Sequence, residues 1–146
     1  MVTEMTLHEP VGQRLDPLAP PGFVARQSED GIACDLLRPH FPPDRETLLL
    51  AGFDGYERLV RLEQAEGDRN GRCIIYPQSW RSLLCSGVVR VLMAHNHPSG
   101  IARPSDADRR CTQEAALFLR TLDVELVDHL IFVESGHFSF RRAELL

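Results

Sequence analysis

The chain has 146 residues, 43% hydrophobic and 25% charged, which suits one globular domain with a true core and leaves little room for a second. A net charge of −5 argues against strong non-specific attraction to nucleic-acid phosphates. All 16 basic residues are arginine, and the lack of lysine excludes Schiff-base chemistry on an internal lysine and any Walker-type phosphate loop.

Residues 1 to about 27 are rich in proline and polar residues without a sustained period, and they predict an irregular N-terminal arm, either mobile or docked on the domain or a partner, ahead of a domain over 28–146. Ser28 is placed to cap a short helix across EDGIACDLLR, which Pro39, Pro42 and Pro43 end. Arg45-Glu46 then leads into TLLLAGF, a short apolar run of the kind that forms a buried central strand. Asp54-Gly55 predicts a turn into YERLVRLEQA, whose alternation suits a half-exposed strand. EGDRNG forms a turn cluster, and after CIIYP the run QSWRSLLCSG predicts a helix ending near Gly87. VVRVLMAH is a second buried strand with His95 at its C-terminal end. From Ser105, apolar residues at Ala107, Cys111, Ala115, Phe118, Leu119 and Leu122 give a helical period. VELVDHLIFVE and HFSFRRAELL follow as a strand, a turn at Ser135-Gly136, and a closing strand or edge. The fold class is α/β (α+β), a single mixed sheet flanked by helices.

Cys34, Cys73, Cys85 and Cys111 are widely spaced and form no CxxC pair. The N-terminus MVTEMTLHEP lacks the charged and apolar segments of an export signal, and no stretch reaches the ~18 apolar residues of a membrane span. Reduced, mostly buried thiols and a cytoplasmic location are expected.

The segment MAHNHPSGIARPSDAD, from Met93 to Asp108, carries the chemistry. On an extended backbone, residues two apart point the same way, so His95 and His97 present imidazoles to one point. Pro98, Ser99 and Gly100 permit a sharp exit from the strand, and Ser105 stands at a helix start with Asp108 in its first turn. Two neutral imidazoles and one carboxylate leave the fourth position of a tetrahedral Zn2+ ion open, as in catalytic sites. Water on such an ion is acidified toward neutral pH. Ser105 would be chosen as a helix cap with or without catalysis.

The spacing H-x-H, seven residues, S, two residues, D resembles the JAMM signature of the JAB/MPN metallopeptidase-like superfamily, met by His95, His97, Ser105 and Asp108 without a gap. The longer HNHPSG…PS-x-x-D, with VDHLIF and FSF after it, is similar to the RadC branch over roughly residues 28–144. The resemblance implies a cytidine-deaminase-like α/β architecture, with zinc held by His95, His97 and Asp108. It also implies a glutamate before the first buried strand as general base, and Ser105 as the group that stabilises the reacting carbonyl. Glu46 fits the base by register, with Glu57, Glu63 and Glu66 as rivals. Two features depart from the RadC pattern. Pro77-Gln78-Ser79 replaces a P-R-E, and the residues before the domain are too few for the helix-hairpin-helix region of longer RadC proteins.

These features lead to the expectation of a zinc metallopeptidase that cleaves an amide or isopeptide bond in a peptide or protein substrate, with no membrane partner. Two other readings stay open: a non-catalytic, metal-stabilised protein-interaction module, and a metal-dependent nucleic-acid hydrolase linked to DNA repair. Arg103, Arg109 and Arg110 form either a solvated rim or a steering patch for an anionic substrate. Asp128 and His129 are candidates to orient a ligand by hydrogen bonding, while His8, His40 and His137 are expected at the surface and Trp80 in helix packing.

Overall fold

The apolar runs around TLLLAGF and VLMAH become neighbouring strands in the middle of one sheet. The structure is a computed structural model and describes residues 21–66, 75–84 and 87–146. Six strands are present among these residues: β1 (Phe23–Ala25), β2 (Thr47–Phe53), β3 (Leu59–Glu66), β4 (Arg90–Asn96), β5 (Glu125–Val133) and β6 (Gly136–Ser139). They form a single mixed sheet in the order β1-β6-β5-β4-β2-β3. β2 and β4 are buried along nearly their whole length, which is why their sequences are continuous apolar runs rather than alternating ones. They pair antiparallel with Leu48 opposite His95.

Among the described strands, only the β4–β5 pair is parallel. A parallel pair needs a crossover, and the long helix Asp106–Thr121 supplies it. That helix and the shorter Pro77–Leu83 helix cover one face, where Trp80, Leu83, Cys111, Ala115 and Leu119 pack on Leu48, Leu50, Val91 and Met93. Trp80 is buried against the Phe118 ring, as expected of a packing residue. The other face is covered by a short helical segment, whose Ala33 and Leu37 meet Leu49, Ala51, Leu92, Ala94 and Phe132. None of the described helices is long and apolar enough to cross a membrane.

Several expectations shift. The first helix is a wide π-helical turn, Ile32–Leu37, followed by a tight turn over Arg38–His40. Asp30, not Ser28, accepts from its early backbone, at 2.9 Å from the Ala33 amide. The Pro77–Leu83 helix stops short of Gly87. Cys34 is exposed and Cys111 buried, both as free thiols, and Cys73 and Cys85 lie outside the described residues. So do residues 1–20 of the arm, with His8, and most of the EGDRNG cluster. The last part of the arm docks on the domain as a regular strand, since β1 pairs with β6, Phe23 opposite Phe138. Gly136 makes that pairing feasible, since a Cβ there would sit 2.1 Å from the Val24 carbonyl oxygen.

His137 is buried rather than at the surface. Its Nδ1 lies 2.7 Å from the fully buried carboxylate of Glu29, which also pairs with Arg38 at 2.5 Å. Arg38 donates further to the carbonyls of Val133 and Gly136, at 2.9 Å and 3.1 Å. Burial works against the charge on Glu29, but the hydrogen bonds from Arg38 and His137 outweigh it and hold its pKa below the ordinary value. A buried charge is tolerated because every side of it is paired.

Candidate metal centre

His95 is near the C-terminal end of β4, on the face that carries the long helix. His97 lies just beyond the strand but is still tied to it, since its amide donates to the Phe132 carbonyl of β5 at 2.9 Å. The chain then reverses. The Gly100 amide donates to the His97 carbonyl at 3.0 Å, and Gly100 has φ +85, a conformation that favours glycine. Ala102 and Pro104 are buried, and they return the chain to Ser105 at the helix start.

A complete capping box forms there. The Ser105 hydroxyl accepts from the Asp108 amide at 3.0 Å, and the Asp108 carboxylate accepts from the Ser105 amide at 2.9 Å. The box turns the Asp108 carboxylate toward the strand. One of its oxygens is 3.4 Å from His95 Nε2 and the other 3.3 Å from His97 Nε2, while the two Nε2 atoms are 3.0 Å apart. Nitrogen and oxygen ligands about 2.0 Å from a tetrahedral metal stand about 3.3 Å from one another. The three side chains are therefore positioned to bind one small metal ion.

Hydrogen bonds behind the site settle which nitrogens face it. Thr112, one turn after Asp108, donates its hydroxyl proton to the Asp108 carbonyl at 2.7 Å. Its oxygen then accepts from Nδ1 of His129, 2.6 Å away. Burial, helped by the charge of His95, pushes the His129 pKa well below the ordinary value, so this ring is neutral and Nε2 holds a lone pair. That lone pair accepts from His95 Nδ1 at 2.7 Å. His95 accordingly turns Nε2, not Nδ1, toward the site. His97 is oriented the same way by donating from Nδ1 to the Ile101 carbonyl at 2.8 Å.

Desolvation opposes ionisation of Asp108, but hydrogen bonds from His95 and His97, the charge on His95 and the Ser105 amide hold its carboxyl far below the usual range. Burial likewise opposes protonation of His97. The Asp108 and Ile101 hydrogen bonds, with the charges of Asp108 and Glu46, prevail and raise its pKa.

Glu46 comes up beside this group from the start of β2, its carboxylate 3.9 Å from His97 Nε2 and 43% exposed. Its rivals are elsewhere: Glu57 is exposed in the β2–β3 turn, Glu63 pairs with Arg61 on β3, and the Glu66 side chain lies outside the described residues. Arg103, Arg109 and Arg110 are all exposed. His129 touches a ligand histidine directly, whereas Asp128 does not. The Asp128 carboxylate accepts from Ser139 Oγ at 2.5 Å and from the Arg141 amide at 3.0 Å, fixing the turn after β6. Two participants escaped sequence reasoning. Thr112 was detectable as the residue one turn after a ligand on the same helix face, and Asn96 as a polar residue inside a buried strand.

Fold and site together define a mixed-sheet α/β domain with two histidines and an aspartate gathered where its central strand meets the crossover helix. The chain belongs to the RadC-like JAB domain family, whose model matches residues 28–145. It is similar to a UPF0758 protein of Burkholderia mallei (strain SAVP1), 37% identical over 100 residues that cover 68% of this chain and 36% of the relative. A UPF0758 protein of Idiomarina loihiensis is 34% identical over 103 residues, 70% of this chain and 46% of the relative. One from Histophilus somni (strain 2336) is 30% identical over 98 residues, 66% and 44%. The chain thus spans less than half the length of these relatives.

Proposed function

We propose that this domain is a zinc-dependent hydrolase of an amide or isopeptide bond in a peptide or protein substrate. The observation that carries the reading is the convergence of His95 Nε2, His97 Nε2 and the Asp108 carboxylate, with the exposed Glu46 carboxylate alongside. A nitrogen-rich set with one carboxylate suits zinc better than magnesium or calcium, which prefer oxygen ligands. Zinc bound there would acidify a coordinated water and polarise the scissile carbonyl.

The protein's own groups do the rest. Glu46 takes a proton as the water oxygen bonds to the carbonyl carbon, then hands it to the leaving nitrogen as the C–N bond breaks, giving a carboxylate and an amine. Ser105 accepts from the Asp108 amide, which leaves its own O–H proton free to meet the oxygen where negative charge develops.

Zinc content is the first test. Wild type should hold one equivalent, and the His95→Ala, His97→Ala double variant none. A peptide library and a lysine isopeptide conjugate then serve as probes. Glu46→Gln should keep the metal and lose about 10²- to 10⁴-fold in hydrolysis. Metal retained by the double variant, or full activity in Glu46→Gln, would overturn the assignment.

A further inference from the structure

Asn96 stands between the two ligand histidines, so strand alternation sends its side chain to the opposite face of the sheet. It is buried there, and its amide is fully engaged by one stretch of backbone. Oδ1 accepts from the Thr47 amide at 2.7 Å. Nδ2 donates to the carbonyls of Pro42 and Arg45, both at 2.9 Å. The Arg45 carbonyl and the Thr47 amide belong to the two peptide units that flank the Glu46 Cα. Peptide units are planar, so holding both leaves the backbone of residue 46 little freedom.

Glu46 has no comparable tether of its own. Its side chain is 43% exposed and, among the described residues, makes no hydrogen bond; its contact with the site is the 3.9 Å approach to His97. The direction of its carboxylate therefore follows from its backbone. We infer that Asn96 is the positioning residue for Glu46, clamping residues 42–47 from behind the sheet so that the carboxylate faces the metal ligands in front. One side chain between His95 and His97 thus registers the base-bearing loop against the same strand that carries the ligands.

The pattern of partners explains why an amide is needed. One N–H and two carbonyls face the side chain, and asparagine offers one acceptor and two donors. Aspartate would meet Thr47 but turn a carboxylate oxygen on the two carbonyls.

The functional part of this inference rests on Glu46 as general base, so the test separates the two. Backbone amide exchange by NMR reads the clamp without any substrate. In Asn96→Ala the Thr47 amide should exchange at least about tenfold faster, while the inner amides of β4 keep their protection. Zinc stoichiometry should remain one. In hydrolysis of the probe peptide, Asn96→Ala should lower kcat much more than it raises KM. Added to Glu46→Gln it should have almost no further effect, because the clamp acts through a base already removed.

Asn96→Asp keeps the volume and the Thr47 acceptor but loses both donors, and it should reproduce the kcat loss. It decides the matter if the alanine variant does not fold. An unchanged Thr47 exchange rate, or a kcat loss that adds in full to that of Glu46→Gln, overturns the proposal. If wild type binds zinc and hydrolyses nothing, the hydrolase reading fails and Thr47 exchange alone decides whether the clamp exists.

Discussion

At the scale of single residues, the site is a set of ring nitrogens whose direction is fixed by hydrogen bonds behind them. His129 and Thr112 do this for His95, and the Ile101 carbonyl does it for His97. The competitor for a metal is the proton. The pKa of His97 is raised above 6.5 despite burial, chiefly by its hydrogen bond to Asp108, so the metal-free protein keeps that proton into a higher pH range. The same proton supports the metal-free fold fully below pH 6.5, and this support is lost as pH rises through the raised value. The Asp108 carboxylate contributes with the opposite sign, in full above pH 3.8 and lost as pH falls toward its lowered value. Metal must displace the His97 proton, so apparent zinc affinity should weaken by about tenfold per pH unit below the raised His97 pKa and level off above it. Competition with a chromophoric chelator from pH 5.5 to 8 measures this. An affinity flat across that range would rule out His97 as a ligand.

At the scale of elements, the helix from Asp106 both caps itself and brings the Asp108 carboxylate to the two histidines, and Ser105 is where the two tasks meet. Glycine is nearly as good an N-cap as serine, whereas alanine is poor. Ser105→Ala should therefore cost roughly 1 kcal/mol of stability, and Ser105→Gly only a few tenths. If the hydroxyl also serves the reaction, both variants lose hydrolysis equally; activity that tracks stability instead would leave Ser105 as a cap alone. Thermal melts and probe hydrolysis on the same two proteins make the comparison.

The same contrast explains what could be read beforehand. β2, β4 and the capped helix announce themselves through neighbours in sequence: TLLLAGF, VLMAH, and Ser105 three residues before Asp108. So did the ligand set, because an H-x-H on a strand and an aspartate in a first helical turn are local patterns. β1 did not, since three residues show no period and its partner β6 lies more than a hundred residues away. The Glu29–Arg38–His137 cluster was hidden for the same reason, and His137 looked like a surface residue without its distant carboxylate. Asn96 was in plain view, but what it holds is visible only once the 42–47 segment folds behind the strand.

On the scale of the whole molecule, the question is how far the fold would depend on a metal held at this site. His95, His97 and Asp108 stand on β4, just beyond its end and on the crossover helix, so a metal bound by them would tie together two elements that the sequence separates by a turn. Yet apolar clusters line both faces of the sheet, and none of them consists of the ligand residues. Even without metal, Asp108 is satisfied by the Ser105 amide and by hydrogen bonds with His95 and His97. A site that merely held the domain together would leave the chain unfolded on chelation, as in small zinc-dependent domains. Here the core should survive. Saturating zinc at a thousandfold over Kd adds about 4 kcal/mol to the folded state, worth on the order of 10 °C in Tm for a chain of this size. Chelation should thus lower Tm by roughly that amount while near-ultraviolet circular dichroism at 25 °C stays native-like. Loss of the near-ultraviolet signal at 25 °C would instead mark the metal as structural and favour an interaction module over a hydrolase.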